Sequence, residues 1–597
     1  MHLIVDHLDI WTAAPVTKAN GGRGRVSAAN RSPYGIKKLR ELILELAVRG
    51  MLVEQNPNDE PASVLLERIA KEKGRLIKEG KIKKQKPLPE ISEEDKPFEL
   101  PNGWEWVRLQ NVSSYIQRGK GPKYAEHGHV RVVSQKCVQW SGFDLSQAQF
   151  ADDDSLGAYQ AQRFLQENDL LWNSTGTGTV GRVNVLGAVE PNKLVADSHV
   201  TVIRPLKINS DFLKCYVAAP GIQLRIEPGH EESLVSGTTN QVELNTSSVL
   251  SLIVPLPPLA EQHRIVAKVD ELMSLCDRLE QQQADSSAAH QTLVETLLAT
   301  LTTATDHQEF AEAWRRIAGH FDTLFTTEES IAQLKQTILQ LAVQGKLVPQ
   351  DPNDELASVL LEKIAKEKDR LIREGKIKKE TPLTKITGEE EPFHLPKGWA
   401  FTRFENIVNI TSGVTKGRKL AGRKVVSVPY LRVANVQRGF LELGMMKEIE
   451  IPKEELEKFT VVERDLLITE GGDWDKVGRT AIWRGELSLV AHQNHVFKAR
   501  LIFEEQNELW LEKYLNSFIA REYFANSSKQ TTNLASINKT QLRGCIVPIP
   551  PLAEQHRIVA KIDELMALCD QLKATLTQSQ QQSEKLIDAM FQQLLVA

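Results

Sequence analysis

Apolar residues first take on helical spacing at Leu39, Leu42, Ile43, Leu46 and Ala47, which fall on one face of a helix that Gly50 is placed to end. The pattern returns as Leu334, Ile338, Leu341, Ala342 and Gly345. A second helix is predicted to start at an Asp cap, Asp59 in one copy and Asp354 in the other, and to run through ASVLLE into a basic tail. That tail carries Lys71, Lys73, Arg75, Lys78, Lys81, Lys83, Lys84 and Lys86, echoed from Lys366 to Lys379, and reads as a solvated face or as a surface for phosphates or an acidic partner. Further on, the stops PLPPLAEQ and PIPPLAEQ preset a first helical turn in which Glu261 and Glu554 suit the helix dipole. Behind them Ile265, Val269, Leu272, Cys276 and Leu279 alternate spacings of four and three, and Ile558, Ile562, Leu565, Cys569 and Leu572 repeat the seam. Each seam has only about three clean heptads, so pairing the two as an antiparallel intramolecular coiled coil is the economical solution.

These elements belong to a duplication. Residues 42–84 recur at 337–379 with 33 of 43 positions identical, and 253–280 recur at 546–573 with 23 of 28 identical. Between the members of each pair the copies diverge. There the hydrophobic pattern changes to short β-type runs broken by Gly, Asn and Asp, such as DLLWNST and HVTVIRP in one copy and DLLITE and HVFKARL in the other. Val180-Gly181-Arg182 aligns with Val477-Gly478-Arg479, so the two inserts read as one fold carrying different surfaces. The expected organisation is a flexible Gly-, Ser- and Asn-rich leader (1–35), a helical frame (36–100), a first insert (101–255), a central helical region (256–395), a second insert (396–548) and a C-terminal frame (549–597).

Composition narrows this picture little. Hydrophobic residues make up 41% and charged residues 25% of the 597, ordinary values for a globular chain. No apolar run is long enough to span a membrane, and the first residues do not read as a signal peptide, so a cytoplasmic location is expected. Five cysteines without a C-x-x-C pair argue against a disulfide framework or a zinc knuckle and fit a reducing compartment. The net charge is −4. The first insert holds 13 Lys and Arg against 15 Asp and Glu, a net of −2, and the second 23 against 18, a net of +5. Charge alone leaves nucleic-acid binding undecided.

Several local patterns invite chemistry and fail on context. Gly176, Gly178 and Gly181 match a dinucleotide fingerprint as a string, but the following RVNVLGAVEP is strand-like where that fingerprint must open a helix. A glycine loop that lets the backbone approach a ligand is the better reading, with Asn173, Ser174, Thr175 and Thr177 available and Asp473, Trp474 and Lys476 as counterparts. His492 and His495 have no Cys or carboxylate cluster beside them, which argues against a metal site. The chain lacks a G-x-x-x-x-G-K-[ST] loop and an Asn/Asp-Pro-Pro-aromatic stretch, and no nucleophile–base pair recurs between the copies. It does not read as an enzyme.

The junctions PFELPNGWEWVRL and PFHLPKGWAFTRF, each followed later by the PLPPLAEQHRIVAK or PIPPLAEQHRIVAK helix, resemble those of the specificity subunits of type I restriction–modification systems over about residues 36–597. The resemblance implies an α/β (α+β) chain: two target recognition domains separated by long helices forming an antiparallel coiled coil, with a pseudo-twofold internal repeat. It further implies that each domain reads one half of a split, asymmetric double-stranded DNA site. Two modification (methyltransferase) subunits would bind the frames, and restriction (translocase–nuclease) subunits would join them. This chain would hold no cofactor, while S-adenosylmethionine, ATP and Mg would belong to the partners. A seam of some 21 residues spans roughly 30 Å, close to the ~34 Å turn of B-DNA, which fits a fixed gap between half-sites.

For DNA reading, Gln and Asn suit adenine and Arg or Lys suits guanine. The candidates are then Gln117, Arg118, Lys120, Lys123, Gln135, Lys136, Asn173, Thr175, Thr177 and Arg182 in the first insert. In the second they are Lys416, Arg418, Lys419, Arg432, Asn435, Gln437, Arg438, Trp474, Lys476, Arg479, Gln493 and Asn494. The alternative is a stand-alone bipartite DNA-binding regulator that needs no enzyme partner.

Overall fold

The frame helices form where the apolar spacing places them. In the computed structural model, which describes residues 8–13, 33–157, 159–176, 178–227, 229–238, 241–420, 422–472, 476–531 and 534–596, α1 covers Tyr34–Val48 and α2 covers Ala62–Lys78. α3 runs Leu259–Thr303, α4 Glu328–Val343, α5 Ala357–Arg373 and α6 Leu552–Val596. The chain divides into two units, residues 1–286 with 579–597, and residues 287–578.

In the first unit, α1 buries Ile36, Leu39, Leu42, Ile43 and Ala47. Its end is a Schellman turn: Met51 N donates to Leu46 O (2.9 Å) and Gly50, at φ +74°, donates to Ala47 O (3.3 Å). Gly50 is required twice over, because a Cβ there would lie 2.5 Å from Pro101 Cγ. The second unit repeats the turn with Gly345 at φ +69° and Pro396. The Asp cap expected for α2 is not made. Pro61 and Leu356 precede α2 and α5, whose first amides donate to Gly103 O and Gly398 O (2.9 Å each). Asp59 and Asp354 instead accept from Arg264 and Arg557 at 2.6 Å, ion pairs that tie each frame to the start of a long helix. The basic tail is also not uniformly solvated. Lys73 and Lys368 are half-buried and donate to the carbonyls of Gln110 and Glu405, and burial pulls Lys73 down to about 8.

The long helices have 45 residues each, more than twice the extent of the clean heptads. In the first unit Ile265, Val269, Leu272 and Cys276 pack with Ile36, Leu39, Leu42 and Ile43 of α1 and with Ile587 and Phe591 near the end of α6, and Leu279 lies at the edge of this core. In the second, Leu565, Cys569 and Leu572 join Leu334, Ile338 and Leu341 of α4 and Val294, Leu298 and Leu301 near the end of α3, while Ile558 and Ile562 face the insert's core. Each unit thus sets the start of one long helix beside the end of the other, in antiparallel sense. The seam packs on the frame helix as well as on the other long helix, so each of these cores is built from three helices. The leader also holds structure: Leu8–Ala13 is helical and fully buries Trp11 against α1.

Each insert begins and ends in a two-stranded antiparallel ribbon, Glu105–Arg108 with Ile253–Leu256 and Ala400–Arg403 with Ile546–Ile549. On the ribbon stands a four-stranded antiparallel sheet. In the first insert its strands are β1 (Ser113–Arg118), β2 (Leu170–Asn173), β3 (Val183–Val185) and β4 (Val200–Pro205), ordered β1-β4-β2-β3. In the second they are β5 (Val408–Ser412), β6 (Leu466–Thr469), β7 (Thr480–Ile482) and β8 (Val496–Leu501), in the corresponding order β5-β8-β6-β7. Corresponding ion pairs pin both sheets: Arg204 to buried Asp169 and Arg500 to buried Asp465, each through two bonds of 2.7–2.8 Å. The second sheets differ, being four-stranded in the first insert and three-stranded in the second.

Candidate nucleic-acid interface

Several candidate residues gather where loops converge at one end of each sheet. In the first insert the chain leaving β1 passes so close to the 196–199 loop that a Cβ on Gly119 would lie 2.1 Å from Asp197 O. Arg118 Nε donates to Ser198 O (2.9 Å) and its guanidinium pairs with Glu243. The hydroxyl of Thr175 lies 2.6 Å from His199 Nδ1. Gly176, Gly178 and Gly181 all have positive φ, and their loop leads into β3, where a dinucleotide fingerprint opens a helix. The second insert repeats the crossing at Gly413, where a Cβ would lie 2.1 Å from His492 O. Gln493 N donates to Leu431 O (2.9 Å), Asn494 N to Val414 O (3.0 Å), and Glu470 N to His495 O (2.9 Å).

Within these clusters the side chains divide by what they already hold. Gln117, Lys120, Lys123 and Lys136 are exposed, with Lys120 Nζ over the Tyr159 ring at 5.5 Å. Asn173 is fully buried and donates to Gln135 O (2.9 Å), fixing a loop rather than facing solvent. Asn435 is likewise buried and donates to Glu442 O (2.7 Å). Gln135 accepts from the Thr179 hydroxyl at 3.2 Å. Arg182 donates to Gln139 Oε1 (2.5 Å), and Arg479 to Gln437 Oε1 (2.6 Å). Lys416 and Lys419 are exposed, whereas Arg418 pairs with Glu455 at 2.8 Å and Arg432 reaches Met445 O at 2.9 Å. Arg438 and Lys476 are half-buried beside the same loops, and the Lys476 carbonyl accepts from Thr469. Thr177 and Trp474 lie outside the described residues.

The His492–His495 pair does not converge. His492 is buried, its Nδ1 donates to Val496 O (2.7 Å), and burial holds it neutral with a pKa near 3, whereas His495 faces out and pairs with Glu470 at 2.7 Å. Among the described residues no three His, Cys, Asp or Glu groups cluster as metal ligands. None of the described helices is long and apolar enough to cross a membrane. Sequence reasoning passed over Gln139, Trp140 and Phe440. The first holds a loop end, and both aromatics stand more than half exposed. The recurrent Val-Gln at 138–139 and 436–437 was the available signal.

Each frame meets its insert through the same wiring. Trp104 Nε1 donates to Glu261 Oε2 (3.1 Å) and Trp399 Nε1 to Glu554 Oε2 (3.0 Å), while Gln262 and Gln555 each donate to a proline carbonyl five residues back at 2.9 Å. Tyr216 and Tyr514 hydroxyls donate to Ile253 O and Ile546 O, anchoring the ribbons.

Comparison with known proteins also finds a repeat. The type I restriction modification DNA specificity domain matches twice, over residues 101–286 and 396–579. The type I restriction enzyme EcoAI specificity subunit of Escherichia coli is 40% identical over 611 residues, covering 98% of each chain. The EcoEI specificity subunit of the same species is 38% identical over 613 residues, again covering 98% of each. The crystal structure of the HsdS subunit from Thermoanaerobacter tengcongensis overlays 84% of this chain and 98% of that one, at 17% identity and a TM-score of 0.38. With two matched domains and near-complete coverage of these relatives, the chain belongs to the specificity subunits of type I restriction–modification enzymes.

Proposed function

We propose that this chain is the non-catalytic, DNA-reading subunit of a type I restriction–modification complex, and that each insert reads one half of a split, asymmetric double-stranded site. The observation that carries this reading is a contrast between frame and insert. The Trp–Glu, Asp–Arg and Tyr–carbonyl contacts at the base of each insert recur pair for pair. The loops at the far end carry different side chains and different ion pairs. Like frames offer two equivalent surfaces for two modification subunits, which restriction subunits then join. Unlike loop ends offer two different surfaces to base edges.

The chemistry would lie with the partners. Methyl transfer from S-adenosylmethionine to a flipped adenine, and ATP- and Mg-dependent translocation, need sites that no residues of this chain are proposed to form. The 45-residue helices would set the number of unread base pairs between the half-sites. Mapping methylated bases genome-wide, with and without the gene, tests the proposal: a split motif that vanishes on deletion supports it, and an unchanged methylome refutes it. A specific complex of the purified chain with DNA that is indifferent to modification subunits would favour a stand-alone regulator.

A further inference from the structure

In each insert one glutamine latches a hairpin by the same two bonds. Gln139 Nε2 donates to Lys136 O (2.7 Å) while its Oε1 accepts from Arg182 (2.5 Å). Gln437 Nε2 donates to Ala434 O (3.0 Å) while its Oε1 accepts from Arg479 (2.6 Å). Both glutamines follow a fully buried valine, Val138 or Val436, and both arginines close a Val-Gly-Arg. Neighbouring bonds stiffen the base further: Asn184 Nδ2 donates to Gln139 O (3.0 Å) in the first insert, and Gly439 N to Thr480 O (2.9 Å) in the second. The latch therefore persists through sequences that otherwise diverge.

What the latch holds up is an aromatic ring facing solvent. Trp140 sits in the turn between Val138–Gln139 and Gly142–Phe143 and is 53% exposed. Phe440 sits between the bridged residues Val436 and Leu441 and is 58% exposed, with Met445 nearby in sequence at 80%. Leaving a large ring half in water forgoes hydrophobic stabilisation, and here both rings stand on stiff hairpins beside the loop ends already described.

We propose that the two hairpin tips are DNA-reading elements, in which Trp140 and Phe440 each stack on or wedge against a base step of their insert's own half-site. Gln139–Arg182 and Gln437–Arg479 then act as positioning pairs rather than base readers, because each guanidinium already donates to its glutamine, and Arg182 to Gly178 O as well. An aromatic face is a sequence-tolerant stacking surface, a wedge favours easily unstacked steps, and a ring held by a stiff hairpin loses little freedom on binding. This inference rests on the DNA-reading function proposed above.

The test uses the full chain assembled with its modification subunits and a duplex carrying the mapped site. W140A is expected to weaken specific binding about tenfold or more, the effect of losing one base–aromatic stack. It should also relax discrimination at one or two base pairs of one half-site, leaving the other half read as before. W140F should restore most of the loss, and F440A should act on the other half. Wild-type affinity and discrimination in W140A would overturn the inference, as would equal losses in W140A and W140F, which would mark packing damage. A wild-type assembly that reads no split site would refute the function itself, a separate outcome.

Discussion

Two buried titratable groups in the second unit pull its stability in opposite directions with pH. Burial lowers His492 to about 3, so between there and its ordinary 6.5 the unfolded chain binds the extra proton and stability is lost as pH falls. Burial raises Glu512 to about 7, so between its ordinary 4.5 and 7 the folded chain binds the extra proton and stability is lost as pH rises. Across about pH 5–6.5 the two slopes offset. Glu512→Gln should remove one of them, leaving a loss of about 2 kcal/mol on going from pH 6.5 to 5, one proton's worth per pH unit. Urea unfolding followed in the second unit at both pH values checks this; an E512Q protein as flat with pH as wild type would show that these burials do not govern it. The residue scale is also where sequence reading was weakest. Asn173 and Asn435 carry the right chemistry for adenine, yet the fold buries both as loop ties, and composition cannot tell a base reader from a structural amide. Exposed Gln117, Lys120, Lys123 and Lys136 remain open to a ligand.

At the scale of elements, the helical frames were legible because a 3.6-residue apolar period and a terminal glycine are local signals. Gly50 stands at positive φ with Pro101 against it, so Gly50→Ala should destabilise the first unit by about 1–3 kcal/mol, and Gly345→Ala the second by a similar amount. Thermal unfolding reads both, and an unperturbed G50A would contradict the Schellman assignment. Strands were legible as β-type runs, but their order was not: β1-β4-β2-β3 joins strands far apart in sequence, and nothing local encodes that choice. The seam was read correctly as apolar and too narrowly in its partners. Ile265 is completely buried in the core that α1, the first insert and the end of α6 share, so Ile265→Ala should cost about 2–5 kcal/mol. A cost near zero in chemical denaturation would show that α1 does not depend on that face.

For the whole molecule, the duplication was the most legible feature, since identity between distant segments needs no physical model to detect. It gave two frames and two inserts, and the family domain matches twice, at 101–286 and 396–579, each match running from an insert into a long helix. The extent of the long helices was hidden because the heptads degrade into polar stretches such as QQQADSSAAH, where helical propensity and packing, rather than a seam, keep the chain helical. If helix length sets the gap in the DNA site, adding one heptad to both α3 and α6 should widen the gap by about three base pairs, from 1.5 Å per residue against 3.4 Å per base pair. Methylation mapping of that variant would show it, and an unchanged gap would remove the helices as the spacing device.

The most direct test of the central claim is to exchange residues 101–255 for the corresponding segment of another specificity subunit and map methylated bases in the cell. Independent reading by the two inserts predicts a split motif in which one half changes and the other is retained base for base. A motif altered in both halves, or in neither, would contradict it.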